Sequence, residues 1–296
     1  MTIKEAENIV RSFDEGRKFT DEEEFMFIEA LNFLIEERKD PRDMMYLGGY
    51  YYEKKHFDLA LKYYEMAASM DYDEAYECLG YIWYYGRTGE RDYGKAFEYF
   101  TKMMNKGNLV ATYKVADMYR NGYYVDKDMD KYKSMIEDLY EKVQDCRNVF
   151  DPIPEVYTRL ARIRTEEGKE EDAVNLYLKA KDWLAQRIHF NAFFGNLNIM
   201  KWLIDDLYKL IEFDEDYFDF FDLYYILNTP HKIRFFYENE EINLESVMEG
   251  DECVVCFNGK WYHSRDDFFK DAATKDGTKF TAIYGDLYGF EVMDNG

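Results

Sequence analysis

Cys253-Val254-Val255-Cys256 is the part of this sequence that comes nearest to a reaction centre. A C-x-x-C pair does redox work when it opens a helix, where the dipole lowers a thiol pKa. Here the surrounding residues, DECVVCF, are β-branched and apolar and predict a strand. Residues i and i+3 of a strand point to opposite faces, so the two sulfurs diverge. Zinc would need a second ligand pair, and the remaining cysteines, Cys78 and Cys146, stand far off in the chain. The expectation is a pair of buried strand cysteines with no metal role. His56, His189, His231 and His263 have no metal-ligand rhythm. No Walker loop, G-x-G-x-x-G, H-E-x-x-H or G-x-S-x-G occurs. Acidic runs such as residues 21–24 fall at helix starts, where the dipole favours them. No catalytic, cofactor-binding or metal-binding residue is assigned, and the chain reads as non-enzymatic. The competing enzymatic reading would rest on Cys256, His263 and Asp266, beside a predicted hairpin.

Composition says what kind of framework carries these residues. The 296 residues are 47% hydrophobic and 19% aromatic, with 29 tyrosines and only four prolines, which predicts a mainly helical chain with a sizeable core. Lys plus Arg is 38 against 61 Asp plus Glu, a formal charge of −23. Such a molecule repels nucleic acid at long range, and no basic tail offsets this. The charge serves solubility or an acidic docking surface. The first residues, MTIKEAENIVRSFDEG, lack the apolar core of a signal peptide. No stretch approaches the roughly 20 apolar residues of a membrane span. The few scattered cysteines argue against a disulfide framework. A cytoplasmic protein without nucleic-acid or membrane partners is expected.

Internal periodicity decides the fold. Segments 36 residues apart match: Ala75 with Ala111, Leu79-Gly80 with Val115-Ala116, Gly86 with Gly122, Asp92 with Asp128, Lys95 with Lys131. Upstream, Leu47-Gly48 is followed by Tyr51, Ala60, Tyr64 and Ala67; downstream, Leu160-Ala161 by Ala173, Tyr177 and Ala180. Four helix–turn–helix units are predicted, at residues 41–70, 73–107, 109–143 and 154–180. In each, Gly or Ala lets two helices cross closely, and an aromatic from the partner helix covers the gap. For Gly80 that aromatic is Phe100 or Tyr99. Gly80 costs roughly 1 kcal/mol of helix propensity against alanine, and permits a crossing near the short end of the 8–10 Å range. Gly86 is placed to end the first helix in the left-handed conformation and Asp92 to cap the second.

On these residues the short units resemble tetratricopeptide repeats. The two longer ones, with ECLGYIWYYG and DYGKAFEYFTKMMNKG, resemble Sel-one-like repeats. Two positions depart from the pattern: Tyr132 stands where a small residue is usual, and Arg164 where a packing aromatic is usual. The resemblance covers residues 41–180 and implies an α/α superhelical solenoid. It also implies a concave groove lined by one face of each first helix, and a role as adaptor. At helical spacing Tyr76, Leu79, Gly80 and Trp83 form the packing stripe. The second face carries Glu77, Tyr81 and Tyr84, with Met45, Gly49 and Tyr52, then Tyr113, Asp117 and Arg120, then Thr158, Arg162 and Thr165 as counterparts. The candidate groove residues are Tyr52, Glu77, Tyr81, Tyr84, Tyr113, Asp117, Arg120 and Arg162. The alternative is that neighbouring repeats bury the tyrosines and that Arg120 pairs internally.

Residues 1–40 read as two capping helices, opened by capping boxes at Thr2–Glu5 and Thr20–Glu23. Phe25, Ile28, Leu31 and Leu34 are the expected apolar stripe of the second. Residues 181–229 read as further helices, broken near Gly195-Asn196. DYFDFFDLYYIL is expected as a soluble helix on the solenoid end, with a membrane-surface helix as the alternative. Residues 230–296 read as a small α+β module. Asn258-Gly259 is a type I′ hairpin signal, Ser264 starts a short helix, and KFTAIYGDLYGFEV closes with strand. The leading function is protein–protein interaction in the groove, with a protein or peptide as partner, a basic one among the options. The alternative is an immunity- or inhibitor-type protein that blocks a basic target.

Overall fold

The computed structural model describes residues 1–13, 19–250 and 252–293. Two compact units are present, Met1–Met135 and Ile136–Gly296. This division falls inside a helix and differs from the four segments read from the sequence.

The first unit begins with α1 (Ile3–Ser12) and α2 (Asp21–Arg38), and both expected capping boxes are formed. Phe27, Ala30, Leu31, Leu34 and Ile35 supply the buried stripe of α2. Phe25, expected in that stripe, is exposed, and Ile28 is only half-buried. The stripe is rotated because Phe27 stacks on Phe13, with ring centroids 3.7 Å apart.

Three helix pairs follow: α3 (Pro41–Glu53) on α4 (Phe57–Ala68), α5 (Asp73–Tyr85) on α6 (Tyr93–Met104), and α7 (Leu109–Asn121) before α8 (Met129–Val143). The small-residue crossings are as expected. A Cβ on Gly80 would lie 2.6 Å from Cε1 of Phe100, and one on Gly48 would lie 2.6 Å from Cε1 of Tyr64. Only glycine allows those rings to lie on the partner backbone. Phe100, not Tyr99, covers Gly80. Gly86 ends α5 at φ 61°, and the Asp92 side chain accepts from Lys95 N at 2.9 Å to cap α6. The same pair of devices recurs at Gly122, φ 70°, and at Asp128, which accepts from Lys131 N at 2.9 Å. Tyr132, the departure from the pattern, is fully buried.

In the second unit, α9 (Ile153–Glu166) packs on α10 (Glu170–Phe190), and α10 on α11 (Phe194–Leu207). Helix α10 runs through residues 180–181 unbroken, so no element boundary lies there, and the next break is at residues 191–193, before Gly195. Arg164, the other departure, pairs with Glu137 and Glu167, each at 3.0 Å. DYFDFFDLYYIL is not one helix. It forms a 3₁₀ turn, Phe220–Asp222, and the single turn α12 (Leu223–Ile226). The acidic residues explain this. Asp219 and Asp222 cap the turn reciprocally, and Lys181 on α10 holds both, at 2.9 and 2.6 Å.

An antiparallel sheet follows in the order β4-β3-β2-β1-β5, from β1 (Lys232–Tyr237), β2 (Glu240–Glu249), β3 (Glu252–Phe257), β4 (Lys260–Tyr262) and β5 (Tyr288–Met293). Ser264 caps α13 (Arg265–Asp271). The stretch expected to close with strand does so only over β5, since residues 280–286 form two 3₁₀ turns. The inner face buries Phe235, Leu244, Phe257 and Phe280. This core continues into the segment before Pro230: Tyr224 stacks on Phe269 at 3.6 Å, and Phe220 lies 5.2 Å from the same ring.

Asn258 and Gly259 turn β3 into β4 at φ 49° and 76°, with Phe257 opposite Lys260. A β-branched residue is strongly disfavoured at positive φ. Gly259→Val is expected to lower the denaturation midpoint of the second unit, while Gly259→Asn is tolerated. Equal effects from both would contradict a strained turn.

Candidate functional site

The face carried by the first helices of the repeats is held by side chains that reach from one repeat to the next. In the first unit, Arg87 Nε donates to the Tyr52 hydroxyl at 3.2 Å, and its guanidinium lies 4.7 Å from the Tyr85 ring centre. Lys114 Nζ donates to the Tyr85 hydroxyl at 2.8 Å. The Tyr81 and Tyr113 hydroxyls are 3.1 Å apart. Asn108 Nδ2 donates to the Glu77 carboxylate at 2.6 Å, while its Oδ1 accepts from Ala111 N and caps α7. Successive repeats are thus tied along this face by directed polar contacts.

Lys114 is the centre of the arrangement. It is only 5% exposed, and its ammonium lies 4.9 Å from the ring centres of Tyr81 and Tyr85, 5.2 Å from Tyr84 and 5.4 Å from Tyr113. Ring quadrupoles attract a desolvated cation by about 2 kcal/mol or more, which offsets the loss of water around the charge. Burial holds the Tyr81 phenol well above its ordinary pKa, with Tyr113 adding to the effect. Burial likewise raises Tyr52, against the opposing Arg87. Both remain neutral hydrogen-bonding groups near pH 7.

The candidate residues fall into three sets. Tyr52, Glu77, Tyr81 and Tyr84 are half-buried. Tyr81 meets the edge of Phe100 at 5.6 Å, and Tyr84 meets Phe100, Tyr93 and Tyr123. Tyr113 is buried, its hydroxyl meeting that of Tyr81 and its ring lying near the Lys114 ammonium. Asp117 and Arg120 are half-exposed, and Arg120 lies over the Tyr132 ring at 5.5 Å. Arg162 belongs to the second unit, where its Nε donates to Asp206 at 2.7 Å.

Lys114, Arg87, Tyr85 and Asn108 were missed in the sequence reading. One signal pointed to Lys114: the 36-residue repeat aligns it with Cys78, next to the packing stripe, and a charge in that register needs partners.

Burial raises the Glu77 pKa, opposed by the Asn108 hydrogen bond and by Lys114. A carboxyl with a raised folded-state pKa binds its proton more tightly when folded. Stability from this group is therefore present below the ordinary value near 4.5 and declines as pH rises through the folded-state value. Glu77→Gln keeps an acceptor for Asn108 and is expected to flatten that decline. Unfolding midpoints from pH 4 to 8 test this, and a steeper decline in the variant would be contrary to it.

In the second unit, Cys253 and Cys256 lie in β3 as expected, but both are half-buried, Cys253 opposite Met248 and Cys256 between Glu245 and Trp261. Burial raises the Cys253 thiol pKa. Asp266 is paired with Lys201 at 2.6 Å. Among the described residues, no group of three or more His, Cys, Asp or Glu side chains could hold a metal ion. No described helix is long and apolar enough to cross a membrane.

No protein-family model matches the chain, and no curated protein matches it. Among solved structures it is similar to a Sel1 repeat protein from Oxalobacter formigenes, at 20% identity and a TM-score of 0.46, over 60% of this chain and 67% of that one. It is similar to a protective antigen of uropathogenic Escherichia coli displaying an SLR fold, at 16% identity and a TM-score of 0.44, over 73% of this chain and 50% of that one. It is also similar to PilW, a type IV pilus biogenesis factor, at 15% identity and a TM-score of 0.41, over 72% and 93%. The chain spans half the length of the second of these. The glycine–aromatic crossings at Gly48 and Gly80 and the recurrent glycine and aspartate caps make these helix pairs similar to Sel-one-like and tetratricopeptide-like repeats.

Proposed function

We propose that the chain is a non-catalytic interaction protein that binds a peptide or protein on the face carried by α3, α5 and α7. The tie from repeat to repeat through Tyr52–Arg87, Tyr85–Lys114, Tyr81–Tyr113 and Glu77–Asn108 carries this reading. A face so fixed loses little side-chain freedom on binding, and tyrosine offers large contact area with few rotors. Half-exposed Asp117 and Arg120 supply charges of both signs at its edge.

Affinity capture from the source lysate, followed by mass spectrometry, identifies the partner. Tyr81→Ala with Tyr84→Ala is expected to lose it by roughly 2 kcal/mol or more. Both rings also touch Phe100, so the double variant is measured beside Asp117→Lys, which alters the edge without opening the core. Full affinity in both folded variants would remove this face from consideration.

The formal charge of −23 supports a second reading, an immunity- or inhibitor-type protein whose acidic surface covers a basic target. Capture of a basic enzyme in a complex that dissolves at high salt distinguishes it.

A further inference from the structure

Tyr93 opens α6, and Tyr123 follows the glycine that ends α7. Their rings are stacked with centroids 4.2 Å apart and planes 11° from parallel. Aromatic pairs usually sit 4.5–7 Å apart, so this is a close face-to-face contact. Both side chains are half-exposed. The neighbouring Tyr93 phenol, with burial adding to it, raises the Tyr123 phenol above its ordinary pKa. Rings stacked face to face at 4.2 Å bring the carbons of the two phenol rings together.

The pair is the outer end of a run of tyrosine rings. Tyr81 stacks on Tyr85 at 6.0 Å, Tyr85 meets Tyr84 at 5.0 Å, and Tyr84 meets Tyr93 at 5.7 Å and Tyr123 at 6.0 Å. An electron hole formed on any of these rings can pass to the next by exchange between neutral and oxidised phenols. The run ends where two rings are close enough to couple.

We propose that Tyr93 and Tyr123 are a site of oxidative dityrosine cross-linking within the chain. Each phenol loses one electron and one proton to a peroxide-driven one-electron oxidant. The two radicals join through their ortho carbons, and the two ring hydrogens move to the phenol oxygens to restore both aromatic rings. Two tyrosines and one hydrogen peroxide give one dityrosine and two waters. The new bond ties the start of α6 to the end of α7. It thereby locks the second repeat on the third beside Tyr84. Closing a loop in the unfolded chain is a general source of stabilisation.

The test uses the full chain at low concentration with a haem peroxidase and one equivalent of hydrogen peroxide. The expected product is monomeric, fluoresces as dityrosine, and yields a peptide pair joined at Tyr93 and Tyr123 with the loss of two hydrogens. It should melt at a higher temperature than the untreated chain. Tyr123→Phe keeps the stacked ring and removes the phenol, so it should leave the fold unchanged while the joined peptide disappears. The controls are built into the molecule. Tyr217 is 84% exposed and Tyr124 68%, and Tyr208 and Tyr225 stack at 4.5 Å. Products dominated by any of these, or by cross-links between molecules, overturn the proposal. So does an undiminished yield from Tyr123→Phe.

Discussion

Gly80→Leu is expected to destabilise the first unit by about 3 kcal/mol, the upper end for an overpacked core. The three atoms nearest to an added Cβ all belong to the Phe100 ring, at 2.6, 2.8 and 2.9 Å. That ring is fully buried and edged by Tyr81 and Tyr84, so it has nowhere to turn. At 2–4 °C per kcal/mol, the melting temperature should fall by roughly 6–12 °C. Gly49 provides the control. It lies in α3, one residue from the equivalent crossing, and nothing stands within 4 Å of a Cβ added there. Gly49→Ala should therefore raise stability by about 0.8–1 kcal/mol through helix propensity alone. Two adjacent kinds of helical glycine would then respond with opposite signs, as calorimetry or urea unfolding can show. Equal responses would mean that close crossing is not what glycine provides in these repeats.

The second large effect belongs to Arg187. The residue is 5% exposed, and its guanidinium satisfies four oxygens: Glu155 Oε1 at 2.6 Å and Oε2 at 3.2 Å, and the carbonyls of Val149 and Asp151, both at 2.7 Å. Removing it leaves a buried carboxylate and two carbonyls without their donor. Arg187→Leu is expected to cost about 3–5 kcal/mol, the usual result of breaking a buried pair from one side. Arg187→Leu combined with Glu155→Leu should cost less than Arg187→Leu alone, because no charge is then stranded. Denaturant midpoints of the two single variants and the double variant give the coupling directly. Additive losses would show that the two side chains act independently, contrary to the geometry.

What could be read from the sequence was local or periodic. Gly80 with Phe100, Gly86, Asp92 and the two capping boxes all declare themselves within one helical turn or one repeat length. Asn258-Gly259 does so within two residues. The matching turn between β1 and β2 was not legible, because Glu238 and Asn239 adopt φ 49° and 66° without a glycine to mark them. The fate of DYFDFFDLYYIL depends on Lys181, about forty residues earlier in the chain, so no local pattern could have divided it. The candidate face was legible in its tyrosines and not in its cations. Arg87 and Lys114 lie on it because of where neighbouring repeats place Tyr52, Phe57, Tyr81 and Tyr85, and that register exists only after the helices have packed.

The stacking of Tyr224 on Phe269, and of Phe220 near Phe268 and Phe280, joins residues on both sides of Pro230 in one core. A recombination event at Pro230 would separate these phenylalanines from the rings that cover them. Each product would carry a bare aromatic surface, and such surfaces are selected against because they aggregate. The C-terminal sheet is consequently expected to be a poor cassette, stable only beside the segment before Pro230. Substitutions at Phe220, Phe221 and Tyr224 should therefore track those at Phe268, Phe269 and Phe280.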